Sequence, residues 1–253
     1  MIRLENVCVS YNKKEIIKNI NFKIGYNESL SIIGPNGCGK TTLLKAILNV
    51  VDFKGNIFIK GKNVKEYKMK ELAKEISMFS QVNQIYFNYT VFDIVMMGRY
   101  VYNDKFSICD KKEDIKKVEE ALHILGIFNI KDREINTLSG GQIQRVFLAK
   151  IIAQDTDIIL LDEPTNHLDL KYQVETIKFL KSWANKKGKS IIGVLHDINL
   201  AMLLTDNIML MDNGKIRSFG KLKEVIASND INEVYKINVK EYMLKSLKKW
   251  NNI

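Results

Sequence analysis

Residues 34 to 42 read Gly34-Pro35-Asn36-Gly37-Cys38-Gly39-Lys40-Thr41-Thr42, and this stretch decides the fold class. The apolar run Leu30-Ser31-Ile32-Ile33 precedes it, and a helical pattern from Leu43 to Leu48 follows it. A strand, a glycine loop and a helix in that order are the context of a phosphate-binding loop. In such a loop the backbone N–H groups converge on phosphate oxygens, and the helix dipole favours the anion. The stretch therefore predicts a nucleotide site, and its flanks disfavour the alternative of an incidental glycine turn.

The side chains of the same loop supply groups for a nucleotide and its metal. Lys40 is expected to reach the β and γ phosphates, and the Thr41 hydroxyl is expected to ligate Mg²⁺. Thr42 caps the same turn. Cys38 lies between two glycines at a helix N-terminus, so its thiolate is expected to be stabilised and to be protected by Mg-ATP. The predicted nucleotide-binding residues of the loop are Gly34, Asn36, Gly37, Cys38, Gly39, Lys40, Thr41 and Thr42.

A second group of site candidates follows the hydrophobic strand predicted from Ile158 to Leu161. This strand ends in Asp162-Glu163-Pro164, which places two carboxylates at the carboxyl edge of the sheet, beside the phosphate loop. Asp162 is expected to hold Mg²⁺, and Glu163 is expected to polarise the attacking water. Successive strand residues point to opposite faces, so both can approach the phosphate only if the chain turns here. A surface turn stopped by Pro164 is the alternative interpretation.

Composition limits the class of protein. The 253 residues, 46% hydrophobic and 27% charged, suffice for one α/β core with a smaller subdomain. No stretch of about 18 residues is apolar throughout, and Arg3 and Glu5 disfavour a secretory signal, so we expect neither a membrane span nor export. The cysteines Cys8, Cys38 and Cys109 lack metal-ligand spacing and are expected to be reduced. The net charge of +10 is interpreted as a solvated lysine-rich surface, because no block of like charge indicates nucleic acid or lipid binding.

The apolar pattern also divides the chain. The first sixty residues are predicted to be mainly strands. From Tyr89 to about Gln154 the period becomes helical, which predicts an inserted helical subdomain whose last helix is capped by Ser139. Strand and helix signals then alternate, as in parallel βαβ units. The stretch from Asn238 to Ile253 carries no motif that we can interpret.

Five motifs occur in the order typical of the ATP-binding cassette (ABC) ATPases, and the chain resembles that family over nearly its whole length. They are the phosphate loop, Gln81, Leu138-Ser139-Gly140-Gly141-Gln142, Asp162-Glu163 with Asn166-His167-Leu168-Asp169, and His196. The resemblance implies an α/β fold, with a P-loop NTPase core, an N-terminal antiparallel β subdomain and an inserted α-helical subdomain. It implies one domain over 1–253, with 1–88 and 155–253 as core and 89–154 as helical subdomain. The cofactors it implies are ATP and Mg²⁺.

The same resemblance implies a homodimer that sandwiches two ATP molecules head to tail. Ser139 of one subunit would touch the γ phosphate held by Lys40 of the other, and Gly140, Gly141, Gln142 and Asp169 would belong to the same shared site. The residues agree with this, since Ser139 begins a helix followed by two glycines, whose amides can approach an anion.

Other residues carry weaker signals. By the resemblance, Gln81 would bind Mg²⁺, His196 would contact the γ phosphate and support Glu163, and no chemistry is assigned to His167. Tyr11 would stack on adenine, because an aromatic face accepts any base. The alternatives are a surface Gln81, a strand-end His196 and a Tyr11 that belongs to a turn or the core.

Two segments narrow the resemblance to the ATPases of bacterial importers for ferric siderophores, haem and cobalamin. They are Thr90 to Tyr100 and Leu195 to Ala201, and the tail from Gly220 to Val239 agrees. Val101 replaces a proline that is usual in those relatives. The implied partners are a second copy of the chain, integral-membrane permease subunits and, indirectly, a substrate-binding protein, with no nucleic acid. The implied location is peripheral, at the cytoplasmic face of the cell membrane.

The permease is expected to dock on the segment from Gln81 to Tyr102, whose aromatic and methionine side chains suit a groove for a partner helix. Arg99 and Tyr100 are expected to contact it, whereas Phe92 and Met96 fit the subdomain core equally well. Three alternatives stay open: an importer for another substrate such as a metal ion, a soluble ABC ATPase that does not transport, and a nucleotide-binding regulator without turnover. Glu163 and His196 disfavour the last.

Overall fold

The computed structural model describes residues 1–80, 88–102, 111–166 and 168–250, with the backbone alone at 111, 249 and 250. Its strands are β1 Ile2–Tyr11, β2 Lys14–Ile24, β3 Leu30–Ile33, β4 Lys54–Ile59, β5 Lys62–Asn63, β6 Ile76–Phe79, β7 Ile158–Asp162, β8 Ser190–Val194, β9 Asn207–Asp212 and β10 Lys215–Lys221. Its α-helices are α1 Lys40–Ile47, α2 Met69–Glu75, α3 Val91–Met96, α4 Lys111–Ile124, α5 Gly140–Gln154, α6 Leu170–Lys187, α7 Ile198–Leu204, α8 Leu222–Ala227, α9 Asp230–Tyr235 and α10 Val239–Trp250. Short 3₁₀ helices cover Val64–Glu66, Met97–Tyr102, Phe128–Ile130 and Ile135–Thr137.

A six-stranded central sheet places the phosphate loop and the acidic motif at one edge. Its strand order is β10-β9-β3-β8-β7-β6, and β10 alone in this order runs antiparallel to its neighbour. Strands β3, β7 and β8 are mostly apolar and are buried up to the last residue of β7, because both faces of the sheet are covered. The loop that follows β3 and the carboxylates that end β7 therefore meet at the carboxyl ends of the parallel strands, with β8 between them.

A second sheet covers one face of the first. It is antiparallel, in the order β2-β1-β4-β5, which confirms the N-terminal antiparallel β subdomain that the resemblance implies. Its buried side chains share one apolar cluster with α1 and with alternate residues of the central strands, among them Leu43, Ile32 and Leu160. Helix α1, which follows the phosphate loop, is thus packed between the two sheets.

Helices cover the opposite face of the central sheet. Val95 of α3, Leu122 of α4 and Ala149 of α5 share an apolar cluster with Ile159 and Leu161 of β7. The helices from α3 to α5 confirm the helical period predicted for this part of the chain. Gly126, with a φ of +65°, follows the end of α4, where its N–H bonds to the His123 carbonyl.

Arg99 corrects one expectation. It is only 6% exposed, its Nε donates to Asp114 Oδ1 at 2.8 Å, and its Nη1 donates to the Ala153 carbonyl at 2.8 Å. The residue ties the 3₁₀ helix Met97–Tyr102 to α4 and α5, so it cannot contact a permease. Its neighbour Tyr100 is 76% exposed and stays a candidate for that contact.

The C-terminal stretch without a motif contains α10, an amphipathic helix whose Val239 and Met243 pack against the rest of the chain. Within the described ranges, no helix combines the length and the apolar character that crossing a membrane requires.

Candidate nucleotide site

The phosphate loop has a backbone that its glycines make possible. Gly34, Gly37 and Gly39 have φ values of +149°, +77° and +107°, which other residues rarely adopt. A Cβ on Gly34 would lie 2.2 Å from the Met211 carbonyl oxygen, so β9 packs directly against the loop. Gly39 precedes α1, whose first residue is Lys40. The loop therefore turns straight into a helix N-terminus, where backbone N–H groups remain available to an anion.

Lys40 stabilises the shape of this loop. The side chain is buried, with 5% exposure, and its Nζ donates to the carbonyls of Gly34 at 2.8 Å and Pro35 at 2.9 Å. These bonds keep an ammonium group against the loop that is expected to bind phosphate.

Cys38 corrects the expectation of a reactive thiolate. The residue is 5% exposed, and its Sγ lies on the Gly34 side of the loop, 3.0 Å from where a Cβ on that glycine would be. Burial raises the pKa of the Cys38 thiol, and the positive charge of Lys40 only partly offsets this. The thiol is therefore a core group, and Cys38 contributes to the loop through its backbone.

The turn between β9 and β10 holds that backbone in place. Gly214 N–H donates to the Cys38 carbonyl at 3.0 Å, and Lys18 N–H donates to the Gly214 carbonyl at 2.8 Å. Asn213-Gly214 is a typical hairpin-turn pair, with left-handed φ values of +47° and +79°. Its contact with the loop is not visible in the sequence, because 176 residues separate the two partners.

Thr41 and Asp162 form the next part of the site. Thr41 Oγ1 donates to Asp162 Oδ1 at 2.9 Å. Burial raises the pKa of the Asp162 carboxyl, the Thr41 bond opposes this, and the nearby charge of Glu163 raises it further. A partly buried carboxylate paired with a hydroxyl is a set of hard oxygen donors that suits Mg²⁺, and a cation would relieve the cost of its charge.

Glu163 reaches the same cleft because the backbone leaves the strand pattern at this residue. Leu160 lies on the α1 side of the sheet, so alternation sends Asp162 to Thr41 and would send Glu163 away. Glu163 instead has a left-handed φ of +52°. Its Oε1 contacts His196 Nε2, and its Oε2 accepts a hydrogen bond from Asn166 Nδ2.

Residues of the phosphate loop and of α1 line one open cleft of about 340 Å³ together with Glu163 and His196, whereas Asp162 is not among the lining residues. Its walls are Ile16, Asn36, Gly37, Gly39, Lys40, Thr41, Thr42, Glu163 and His196. The phosphate loop, Glu163 and His196 are thus brought together as expected. Ile16 was not among the expected residues; a strand residue facing a site gives no signal in the sequence that separates it from core.

Tyr11 does not line this cleft. It ends β1, pairs with Lys14 across the hairpin and is 43% exposed. The same hairpin carries Ile16, so Tyr11 lies on the strand pair that forms one wall.

The Ser139 segment is likewise outside the cleft. Ser139 caps α5 as predicted: its Oγ accepts from Gln142 N–H at 3.4 Å, and Gln142 Oε1 accepts from Ser139 N–H at 3.0 Å. Added Cβ atoms on Gly140 and Gly141 would meet nothing within 4 Å. Asp169 is exposed and precedes α6. Gln81 and His167 lie outside the described residues.

Comparisons with known proteins show the family of the chain. The ABC transporter family model matches residues 17–166. The petrobactin import ATP-binding protein YclP of Bacillus subtilis (strain 168) is 38% identical over 240 residues, which are 94% of this chain and 94% of that protein. The ferric enterobactin transport ATP-binding protein FepC of Escherichia coli (strain K12) is 34% identical over 92% of this chain and 86% of its own length.

Solved structures give the same result. A transporter assigned to the metal-chelate ABC type, in an inward-facing conformation, has a TM-score of 0.80 at 28% identity and covers 93% of this chain and 88% of its own. The dimeric post-hydrolysis cassette MJ0796 with ADP and Pi has a TM-score of 0.76 at 30% identity and covers 88% and 99%. Fold and cleft together define a P-loop nucleotide hydrolase. More narrowly, this chain belongs to the ABC transporter family and is an ATP-binding subunit that hydrolyses ATP.

Proposed function

We propose that this chain powers the import of a metal chelate, such as a ferric siderophore, haem or cobalamin, through a separate membrane permease. The observation that carries the proposal is the match, over 94% of both lengths, to a petrobactin import ATP-binding protein. A ferric enterobactin and a ferric hydroxamate relative support the same cargo class. The subunit would work at the cytoplasmic face of the membrane, with a substrate-binding protein acting only indirectly and without nucleic acid.

In this proposal the phosphate loop and Lys40 bind the β and γ phosphates of ATP. Thr41, Asp162 and Gln81 would hold Mg²⁺, which neutralises phosphate charge when it is bound. The 2.9 Å bond between Thr41 and Asp162 supports this assignment, because it brings two oxygen donors together beside the loop.

Glu163 is proposed to orient the attacking water and to accept its proton as the oxygen attacks the γ phosphorus. The bond to the leaving ADP oxygen then breaks. His196 supports the carboxylate through its contact with Oε1 and lines the same cleft, where it can donate to the γ phosphate. The position of both groups opposite Lys40 and Thr41 supports these roles.

The active unit is proposed to be a head-to-tail homodimer. Ser139, Gly140, Gly141 and Gln142 of one subunit would contact the γ phosphate bound by the other, with Asp169 at the same interface. Ser139, Gly140 and Asp169 are exposed, and the whole set lies outside the cleft of its own subunit, which favours a contact in trans. Tyr11, on the hairpin beside the cleft, is proposed to stack on adenine.

We further propose that the helical subdomain, 89–154, moves against the core formed by 1–88 and 155–253. The permease would dock on the exposed side chains of that subdomain. Three of its exposed side chains lie just before α3 or in the 3₁₀ helix that follows it. They are Tyr89, Met97 and Tyr100, which are 39%, 39% and 76% exposed.

The docking proposal is tested by Tyr100→Ala, with Met69→Ala as a control at an exposed side chain outside 89–154. The Tyr100 variant is expected to lose co-purification with the permease at least fivefold, while phosphate release by the isolated subunit stays within about twofold. Normal recovery of the permease with Tyr100→Ala would place the docking surface elsewhere.

The cargo is tested by deleting the subunit and measuring uptake of three labelled substrates: a ferric siderophore, cobalamin and a free divalent metal ion. Loss of chelate uptake alone supports the proposal. Loss of metal-ion uptake alone identifies the other importer class, and unchanged uptake of all three favours a soluble ABC ATPase that does not transport.

A further inference from the structure

Asn166 contacts the carboxylate that the proposed chemistry uses as its base. Its Nδ2 donates to Glu163 Oε2, while His196 Nε2 contacts Oε1, so the carboxylate is held at both oxygens by two side chains from different loops. A carboxylate oxygen has two lone pairs, so each oxygen keeps one for a water molecule. The amide orientation follows from the acceptor, because an ionised carboxylate cannot donate.

The backbone of Glu163 is fixed, but its backbone bonds do not fix its side chain. A left-handed φ of +52° at Glu163 costs about 1 kcal/mol for a residue with a Cβ, and the following Pro164 restricts it further. Glu163 N–H bonds to the Val194 carbonyl at 3.1 Å, and Asn166 N–H bonds to the Glu163 carbonyl at 3.3 Å. These bonds hold the main chain but leave the side-chain torsions of Glu163 free.

We propose that Asn166 is a positioning residue that restricts the Glu163 carboxylate to the orientation in which it accepts the proton of the attacking water. It acts through Glu163, because the Glu163 carboxylate is the group of the proposed site that its side chain contacts. This inference rests on the role proposed for Glu163.

Asn166 differs from the other described residues of its loop in what its side chain contacts. Thr165 is buried, and the carbonyls of Leu168 and Asp169 accept from the Nε2 and the backbone N–H of Gln173 in α6. Asn166 is thus the loop residue whose side chain contacts Glu163 in the described part of the segment. A carboxylate displaced by about 1 Å loses roughly 10²-fold in rate, although the nucleotide is still bound.

The test compares Asn166→Ala and Asn166→Asp with the parent and with Asn185→Ala, an asparagine exposed on α6. The aspartate variant keeps the shape and removes the donor. Both Asn166 variants are expected to lower kcat 10- to 100-fold, with KM and the Kd for Mg-ATP within about threefold. Asn185→Ala is expected to match the parent. Equal losses in kcat and in ATP affinity would overturn the proposal, because they indicate a structural role.

A double-mutant cycle with Glu163→Gln decides whether Asn166 acts through Glu163. In single-turnover hydrolysis, Asn166→Ala is expected to add less than a twofold loss in the Glu163→Gln background. A full additional loss there would overturn the proposal. If Glu163→Gln itself hydrolyses at the parent rate, the role of Glu163 is wrong; if it is slow while Asn166→Ala is normal, only the role of Asn166 is wrong.

Discussion

Thr41 Oγ1 donates a 2.9 Å hydrogen bond to Asp162 Oδ1 across 121 positions of sequence. The contact joins the first turn of α1 to the end of β7 and brings two predicted Mg²⁺ ligands together. Its physical basis is the order of the central sheet, which places the phosphate loop and the acidic strand end on either side of β8.

Replacement of Asp162 by asparagine should raise the Tm of the free protein and weaken its stabilisation by Mg-ATP. Because burial and the charge of Glu163 raise the pKa of the Asp162 carboxyl, ionisation of this group opposes folding when no cation is bound. Asp162→Asn keeps an acceptor for Thr41 and removes that charge. We expect a higher Tm than the parent without nucleotide and metal, and a smaller rise in Tm on addition of Mg-ATP. Thermal unfolding at pH 7 in both conditions, with the exposed Asp206→Asn as control, measures this; a larger rise than in the parent would refute it.

Glu163→Gln should retain ATP binding and lose ATP hydrolysis. The amide keeps the size of the side chain and loses only the base, which contributes about 10²- to 10⁴-fold in rate. ATP binding should persist, and gel filtration with Mg-ATP should show a dimer that accumulates because it is not hydrolysed. Phosphate release at the parent rate would mean that another group accepts the proton.

Cys38 should be slow to react, contrary to the expectation from its motif. Burial raises the pKa of its thiol, so little thiolate forms at neutral pH, and alkylating reagents cannot reach it. In a chain with Cys8→Ser and Cys109→Ser, iodoacetamide should label the native protein at least about 100-fold more slowly than the unfolded protein. Rapid labelling that Mg-ATP suppresses would restore the idea of a thiol at the phosphate.

Arg99→Ala should destabilise the fold. It leaves Asp114 without the guanidinium that it contacts at 2.8 Å in a buried pair, which costs about 3–5 kcal/mol. Arg99→Lys should rescue little, because one ammonium cannot reproduce the separate Nε and Nη1 bonds. Urea unfolding gives the free energies, and Tyr100→Ala at the exposed neighbouring position is the control. A loss below about 1 kcal/mol would show that the pair is not buried in solution.

Asp155 should make stability depend on pH. Burial alone would raise the pKa of this carboxyl, but hydrogen bonds from Lys189 and Lys117 outweigh that and lower the pKa. A lowered pKa in the folded state contributes stability above the ordinary value near ~4, and that contribution is lost as the pH falls through the folded value.

The variant Asp155→Asn retains the tolerance for a left-handed backbone that this residue needs at its φ of +56°. It should lower the free energy of unfolding by about 1–2 kcal/mol at pH 7 and by much less at pH 2.5. Denaturant titrations of parent and variant at both values measure the difference. The same loss at both would exclude the charge as its cause.

Much of the local structure could be predicted from the sequence, because it depends on neighbours along the chain. Glycines at 34, 37 and 39 permit the phosphate loop, Ser139 with Gln142 caps α5, and the Asn213-Gly214 pair turns β9 into β10. Each rests on backbone conformations and short-range hydrogen bonds that only a few residue types supply.

Tertiary structure alone decided where the side chains of these elements point and what they meet. Cys38 lies at a helix N-terminus that would suit a thiolate, but its side chain packs into the core. Arg99, expected at a partner surface, is buried against Asp114. Asn166 contacts Glu163 only because the backbone of Glu163 is left-handed. These outcomes depend on which faces the two sheets and the helices cover. That is a property of contacts between residues distant in sequence, and no local pattern records it.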